Sequence, residues 1–169
     1  MNTTQSAPPV VQQRIVSLPS VALTIKQPWA SLIIHGGKNI ENRSWPTRYR
    51  GPVLVHASKK RDDQEMLAYK ALKKTRGFKP NWIGAPLKWG GVPCGGVIGV
   101  VDIVDCVTES DSPWFVGEFG FILANPRPLP FYECRGALGF WRCEYPDALI
   151  REANGGELSR MAPKGGTTT

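Results

Sequence analysis

Short apolar runs, separated by glycine and proline, recur along most of this chain. Alternating or continuous apolar positions predict five strands, at Val21–Ile25, Gly51–Ser58, Val97–Cys106, Phe119–Ala124 and Gly139–Glu144. Such short strands with abundant turn residues between them favour a small, partly closed β-barrel.

Three segments have helical spacing instead. Gln27-Pro28 opens the first, because proline is tolerated at the first helical position, and Gly36 or Gly37 ends it in a left-handed conformation. A capping box predicts a second helix over Asp62–Arg76, and a short third one follows at Asp147–Ala153. The residues of the first helix predicted to face the core are Trp29, Leu32 and Ile33.

The 169 residues suffice for one domain with a single core. We expect a flexible tail over residues 1–19, the domain over 20–154 and a disordered tail over 155–169. Phe78–Gly96 has no clear period, which predicts a long surface loop.

The apolar runs also bear on the compartment. None approaches the roughly 20 residues that span a bilayer, and the first residues lack the basic-then-apolar order of a secretory signal. We therefore expect a cytoplasmic protein with no membrane partner. The four cysteines form no C-x-x-C pair, which predicts idle thiols, no structural metal and no cofactor.

The net charge of +7 is unevenly placed. Residues 38–79 hold twelve Lys or Arg and four acids, a balance of +8, whereas the rest holds nine bases and ten acids, a balance of −1. Such a positive segment with tryptophans nearby suits a polyanion, nucleic acid before membrane. A charged, solvated helix is the alternative interpretation.

Charged chemistry is densest between Gly37 and Trp45, which enclose Lys38, Glu41 and Arg43. If residues 38–43 are extended, Lys38 and Glu41 lie on opposite faces. If a turn leads into the strand, the two point into one cleft. A solvated hairpin with a surface ion pair, contributing about 0–1 kcal/mol, is the competing interpretation.

At these residues the sequence resembles the ASCH domains, the activating-signal-cointegrator homology group. The resemblance runs from about Ser20 to Glu144. It is carried by Leu23-x-x-x-Gln27-Pro28-Trp29-Ala30, Gly37-Lys38-x-x-Glu41-x-Arg43, Trp114, Gly120-Phe121-x-Leu123, Asn125-Pro126-Arg127 and Gly136-x-Leu138-Gly139-Phe140-Trp141.

The resemblance implies an α+β fold, a small PUA-like β-barrel with flanking α-helices, and a cleft between the barrel and the helix before the signature. It also implies candidate activities. Some similar proteins are amidohydrolases on acylated cytidine, in which a lysine at the position of Lys38 acts with a threonine three residues later; this chain has Glu41 there. Others are described as ribonucleases, and the family name hints at a transcription-related adaptor.

The first functional hypothesis is recognition of RNA, or of a modified or extruded nucleotide, by a monomer. Single-stranded RNA is favoured and DNA is possible. Lys38 and Arg43 would hold phosphate, Glu41 would accept protons from a base or ribose, and tryptophans would stack on bases. We expect Trp45 to be exposed. The candidate contacts are Lys26, Gln27, Trp29, Lys38, Glu41, Arg43, Trp45, Arg48, Arg50, His56, Ser58, Lys59, Lys60, Trp114 and Arg127.

The second hypothesis is a metal-independent hydrolase on RNA or on an acylated cytidine. Glu41 would act as general base and Lys38 would stabilise the negative charge of the intermediate. His56 is a further proton-transfer candidate, although a histidine inside a strand is more often structural.

Overall fold

The computed structural model of the protein describes residues 18–60 and 92–153. In these ranges the chain forms one sheet of six strands and two short helices. In chain order the elements are β1 (Val21–Ile25), α1 (Trp29–His35), β2 (Ile40–Arg43), β3 (Gly51–Ala57), β4 (Gly96–Val107), β5 (Phe119–Glu133), β6 (Phe140–Arg142) and α2 (Asp147–Ala153).

Most of the predicted elements are confirmed. The bounds of β1 and α2 are as predicted, and β3, β4 and β6 differ by at most two residues at either end. The predicted helix at Asp62–Arg76, most of the loop Phe78–Gly96 and nearly all of both tails lie outside the described residues.

The strands follow the order β2-β5-β4-β3-β1-β6. The pair β1 and β3 is parallel, and the other four pairs are antiparallel. The sheet is curled, and its two edges approach each other: Phe140 near one edge stacks on Phe121 near the other, with 6.2 Å between the ring centroids. The result is an α+β half-barrel with flanking helices, which confirms the predicted fold class.

Side chains join the two edges of the curled sheet, and we call this junction the seam. The guanidinium of Arg43 on β2 donates to the carbonyl oxygen of Thr24 on β1 at 2.8 Å. Trp45, just after β2, packs edge-on against Phe121 at 5.1 Å and against Phe140 at 5.5 Å. One hydrogen bond and a cluster of rings therefore hold the edges together.

The alternation of β1 and β3 divides the core between two faces. Leu23, Ile25 and Val55 point into the half-barrel, where α1 covers them. Ala22 and Leu54 point outward into a second cluster that includes Ile150 of α2. Residues 40–43 pair with β5 so that Glu41 lies opposite the inward-facing Phe121, which places the charged signature inside the half-barrel.

The predicted end of β5 at Ala124 is wrong, because the strand continues to Glu133 through three prolines. Asn125 has a φ of 51°, and the pairing with β4 shifts register along this stretch, as expected of β-bulges. Strand β2 pairs only with Phe119–Ile122. Beyond it, no strand of the described residues pairs with that side of β5, so proline is tolerated there.

The ends of α1 are fixed by side-chain and turn contacts. Pro28 is the residue before the helix and not its first residue. The Gln27 side-chain oxygen accepts from the Ser31 backbone N–H at 3.1 Å and from the Ser31 hydroxyl at 2.7 Å. At the other end Gly37, with a φ of 73°, takes the left-handed conformation, and the Lys38 backbone N–H donates to an α1 carbonyl, that of Leu32. This turn directs Lys38 toward β2.

No helix in the described ranges is long and apolar enough to span a bilayer.

His35, the last residue of α1, gives the fold a pH dependence. Burial lowers its pKa from 6.5 to about 4, which outweighs the usual preference for a cation at a helix C-terminus. The unfolded chain therefore binds a proton between pH 6.5 and 4 when the folded chain does not, so stability falls as pH falls through this window.

We expect His35→Gln to remove about 1 kcal/mol of that loss, a value that allows for solvent screening at a side chain that is only half-buried. The free energy of unfolding in urea, measured at pH 7 and at pH 4.5 for the wild type and the variant, gives this difference. The carboxylates titrate alike in the two proteins, so their contribution cancels. Equal losses in the wild type and the variant would contradict the assignment.

Candidate functional site

Lys38, Glu41 and Arg43 form a connected set of charges, which we call the charged triad. The Lys38 ammonium lies 3.3 Å from Glu41 Oε2, and Arg43 Nη2 lies 3.2 Å from Glu41 Oε1. The Lys38 ammonium also donates to the carbonyl oxygen of Ile40. Each oxygen of one carboxylate thus holds a different cation, and the turn-then-strand geometry considered from the sequence is the one observed.

The triad is enclosed. Lys38 is 4% exposed and Glu41 is 7% exposed, whereas Arg43 is only partly buried. Burial lowers the pKa of Lys38, and the neighbouring charge of Arg43 acts in the same direction, while Glu41 opposes both. Two cations and one anion leave a net charge of +1, of which only the Arg43 end is partly open to water.

Each cation of the triad faces an indole. The Lys38 ammonium is 5.9 Å from the ring centre of Trp29 on α1, and the Arg43 guanidinium carbon is 5.9 Å from that of Trp45. Both distances fit cation–π contacts. The expectation that Trp45 is exposed is wrong: it is half-buried because its ring also packs in the seam.

Arg43 has donor capacity that the described contacts do not use. Its Nη2 serves both Glu41 and the carbonyl oxygen of Thr24. Its Nε is buried and has no hydrogen-bond partner. A buried donor without an acceptor costs about 1–3 kcal/mol, so a ligand oxygen that reached this nitrogen after a small movement of the neighbouring side chains would be favoured.

Other candidates lie at one end of the sheet. Because β1 and β3 are parallel, Ile25 pairs with Ala57, which puts Lys26 beside Ser58, Lys59 and Lys60. These three lysines are exposed, and Ser58 is half-buried. Lys26 follows Thr24 by two residues, and Ser58 follows His56, the residue that pairs with Thr24, by two residues. Since the Thr24 carbonyl oxygen contacts Arg43, this end of the sheet is near the triad.

The remaining basic candidates are placed differently. Arg48 is exposed, and Arg50 forms an exposed ion pair with Asp105 at 2.7 Å. Arg127 pairs with Asp102 at 3.1 Å. Arg127 is paired with Val100 of β4, whose side chain lies in the cluster on the outer face of the sheet. The structure therefore does not bring Arg127 to the triad.

His56 faces the outer side of β3 and not the triad. It is 2% exposed, and its Nε2 lies 3.1 Å from the carbonyl oxygen of Cys134, so this nitrogen carries the proton. Burial lowers its pKa. Trp141 packs edge-on against the ring and donates its indole N–H to the Thr24 hydroxyl.

Gln27 and Trp114 serve the scaffold. Gln27 is fully buried, and its amide nitrogen donates to Pro93 O at 2.6 Å. The carbonyl of Trp114 accepts from the Asn42 side chain at 2.9 Å, which ties β2 to the segment that precedes β5.

Sequence reasoning missed the part that Thr24 plays. Its carbonyl oxygen anchors Arg43, and a backbone carbonyl carries no signal in the residue type. Strand β6 pairs with β1 only at Val21–Leu23 and stops before Thr24. The role of the Thr24 carbonyl could therefore be inferred only by someone who already knew the strand pairing.

No group of three or more His, Cys, Asp or Glu residues in the described ranges is arranged to hold a metal ion. The four cysteines are free thiols. Burial raises the pKa of Cys143 to about 12, which keeps this thiol protonated at neutral pH.

Comparison with known proteins gives consistent matches. The family model of the ASCH domain matches residues 23–118. Activating signal cointegrator 1 of Homo sapiens and that of Mus musculus are each 29% identical over 141 residues, which cover 72% of this chain. The chain spans about a fifth of those relatives, 22% of their length. A crystal structure of a mutant ZmASCH protein from Zymomonas mobilis aligns with a TM-score of 0.42 at 11% identity, over 83% of this chain and 96% of that one.

The geometry predicts that Glu41 is the member of the triad on which stability depends. Glu41→Gln leaves the buried Lys38 and the partly buried Arg43 without a counter-ion and should lower the free energy of unfolding by about 3 kcal/mol. Lys38→Met leaves the Glu41–Arg43 pair intact and should cost less than about 1.5 kcal/mol. The double variant should be more stable than Glu41→Gln alone, because it removes one uncompensated cation.

Urea unfolding of the three variants measures these differences. Glu109→Gln, which removes an exposed carboxylate, is the matched control and should stay within about 0.5 kcal/mol of wild type. A Glu41→Gln variant as stable as this control would show that the triad is not coupled in solution.

Proposed function

The chain belongs to the ASCH domain family, and we propose that it binds single-stranded nucleic acid, with RNA favoured, through an unstacked nucleotide at the charged triad. The observation that carries the proposal is the buried, unpaired Nε of Arg43 beside the Trp45 ring. An arginine with a free donor next to an aromatic face suits a phosphate or base oxygen together with a stacked base.

In this proposal Glu41 positions the cations and does not contact the ligand. Both of its oxygens already hold cations, Lys38 through Oε2 and Arg43 through Oε1. The Glu41 carboxylate orients the guanidinium group of Arg43, and the hydrogen bond to the Thr24 carbonyl oxygen holds it against β1. A planar fork held in this way needs little further ordering when it meets its ligand.

The exposed lysines at the end of β1 and β3 would add affinity that does not depend on sequence. They are Lys26, Lys59 and Lys60. Contacts from such residues to phosphates weaken as salt rises, whereas those of the enclosed triad are screened less. A monomer in the cytoplasm is part of the same proposal.

Hydrolysis of RNA or of an acylated cytidine is the second candidate. It is favoured by one observation, the lowered pKa of Lys38 beside a carboxylate, because a less basic amine exchanges protons more readily near neutral pH. The pairing of both Glu41 oxygens with cations supports binding over base catalysis.

Binding can be tested by fluorescence anisotropy with a labelled ten-nucleotide single-stranded RNA. We expect Arg43→Gln and Arg43→Lys to weaken binding by at least about tenfold, because neither keeps the Nε donor together with the Thr24 contact. Arg50→Gln removes an arginine of the exposed Arg50–Asp105 pair and is the matched control, expected within about threefold of wild type.

The same samples decide between the alternatives. Equal affinities of the Arg43 and Arg50 variants would contradict the proposed site. New products from RNA or acylated cytidine that disappear in Lys38→Met would establish the hydrolase instead. Wild-type protein that ignores RNA and DNA at physiological salt would favour an adaptor.

A further inference from the structure

Leu138 is a large apolar side chain held almost entirely in water. It is 98% exposed, more than Val104 at 47% or Val116 at 67%, the other large apolar residues exposed in the described ranges. It lies in the turn of residues 134–139 that joins β5 to β6, which we call the β5–β6 turn. A leucine with so little contact to its own chain contributes almost nothing to the core.

The β5–β6 turn is nevertheless well anchored at its start. The Cys134 N–H donates to Gly95 O at 3.2 Å, and the Cys134 carbonyl oxygen accepts from His56. Gly136 lies directly against β1 and β3, since a Cβ on it would come within 2.5 Å of His56 Cε1 and 2.8 Å of Thr24 Oγ1. The chain can approach this closely only because the residue is glycine.

The end of the turn is anchored as well. Gly139 has a φ of 63°, which reverses the chain just after Leu138. Phe140 then packs in the seam against Trp45 and Tyr49, with ring centroids 5.5 and 5.1 Å apart. With fixed residues on both sides, Leu138 is presented at a defined position and not on a loose loop.

That position is next to the charged triad. Thr24 is contacted twice, by Arg43 at its carbonyl oxygen and by Gly136 at its side chain. Trp45 is also contacted twice, by Arg43 over its ring and by Phe140 at its edge. The β5–β6 turn therefore runs from His56 on the outer face to Phe140 on the inner face, and it shares the neighbours Thr24 and Trp45 with Arg43.

The surroundings of the turn are positive. Ala57 pairs with Gly96, and Gly96 pairs with Glu133, so the turn lies at the sheet end that carries the exposed lysines. Among the described residues, four cations at this end and one acid give 4 − 1 = +3; the cations are Lys26, Lys59, Lys60 and Arg135, and the acid is Glu133. Glu133 lies 3.6 Å from Lys59, while the other three cations form no ion pair within the described part of the chain.

We propose that Leu138 is an apolar wedge that enters the base stack of a bound single strand, next to the nucleotide held at the charged triad. An exposed aliphatic residue surrounded by cations matches a polymer that offers both phosphates and apolar base faces. Separating two stacked bases would free one of them to enter the triad. The proposal rests on the function proposed above.

The test uses a ten-nucleotide RNA with one 2-aminopurine, whose fluorescence rises when it is unstacked. We expect wild-type protein to raise this fluorescence on binding. Leu138→Ala should bind about tenfold more weakly and lose most of the rise, whereas Leu138→Met should retain both. Adenosine 5′-monophosphate has no neighbouring base, so its affinity should depend on Arg43 and not on Leu138.

Val104→Ala is the matched control, because it shortens an exposed aliphatic side chain on β4. It should leave binding and fluorescence unchanged. Unfolding curves of the Leu138 variants should superimpose on that of wild type, since this side chain has almost no packing contacts to lose.

The outcomes separate the two proposals. If the Arg43 variants bind weakly while Leu138→Ala binds and unstacks like wild type, the wedge is overturned and the triad stands. If wild-type protein binds neither the oligonucleotide nor the mononucleotide, both are overturned. If wild-type protein self-associates on a sizing column and Leu138→Ala does not, Leu138 is a protein contact and the wedge is overturned.

Discussion

One carboxylate, that of Glu41, organises the site and much of the fold around it. It holds a lysine that follows α1 and an arginine at the end of β2. Through Arg43 it is coupled to the opposite edge of the sheet, at Thr24. A buried charge without a partner costs several kcal/mol, so the three groups have to assemble together, and the helix, the edge strand and β1 are brought into register by that requirement.

The electrostatics of the molecule are divided between two environments. The triad is enclosed and carries a net charge of +1, held by short contacts that salt screens weakly. The lysines beyond β1 and β3 are exposed, and their field is screened within about 8 Å at physiological ionic strength. Under the proposed function, a ligand would meet the exposed lysines first and the enclosed triad last.

Local patterns predicted the parts of the fold that depend on local interactions. The short apolar run Val21–Ile25 and the turn residues after α1 specify β1 and the position of Lys38 within the sequence itself. The length of β5 was not predictable in this way, because proline ends most strands. Its tolerance here depends on β2 covering only the first residues of β5, which is a property of the assembled sheet.

The same limit applies to the site. The spacing of Lys38, Glu41 and Arg43 left two geometries open, and the structure has the one in which a turn leads into the strand and the groups meet. Neither the Thr24 carbonyl, 19 residues from Arg43, nor the half-buried state of Trp45 could be inferred. Both result from the curl of the sheet, which brings distant strands together after the local elements have formed.

The way in which the half-barrel closes has a mechanical consequence. A barrel sealed by a continuous ladder of main-chain hydrogen bonds resists widening, because several such bonds must break at once. Here β6 is three residues long, and among the described residues the junction beyond it consists of one guanidinium and a few rings, whose contacts change by rotation about side-chain torsions. Widening at this point would leave the described strands and helices intact.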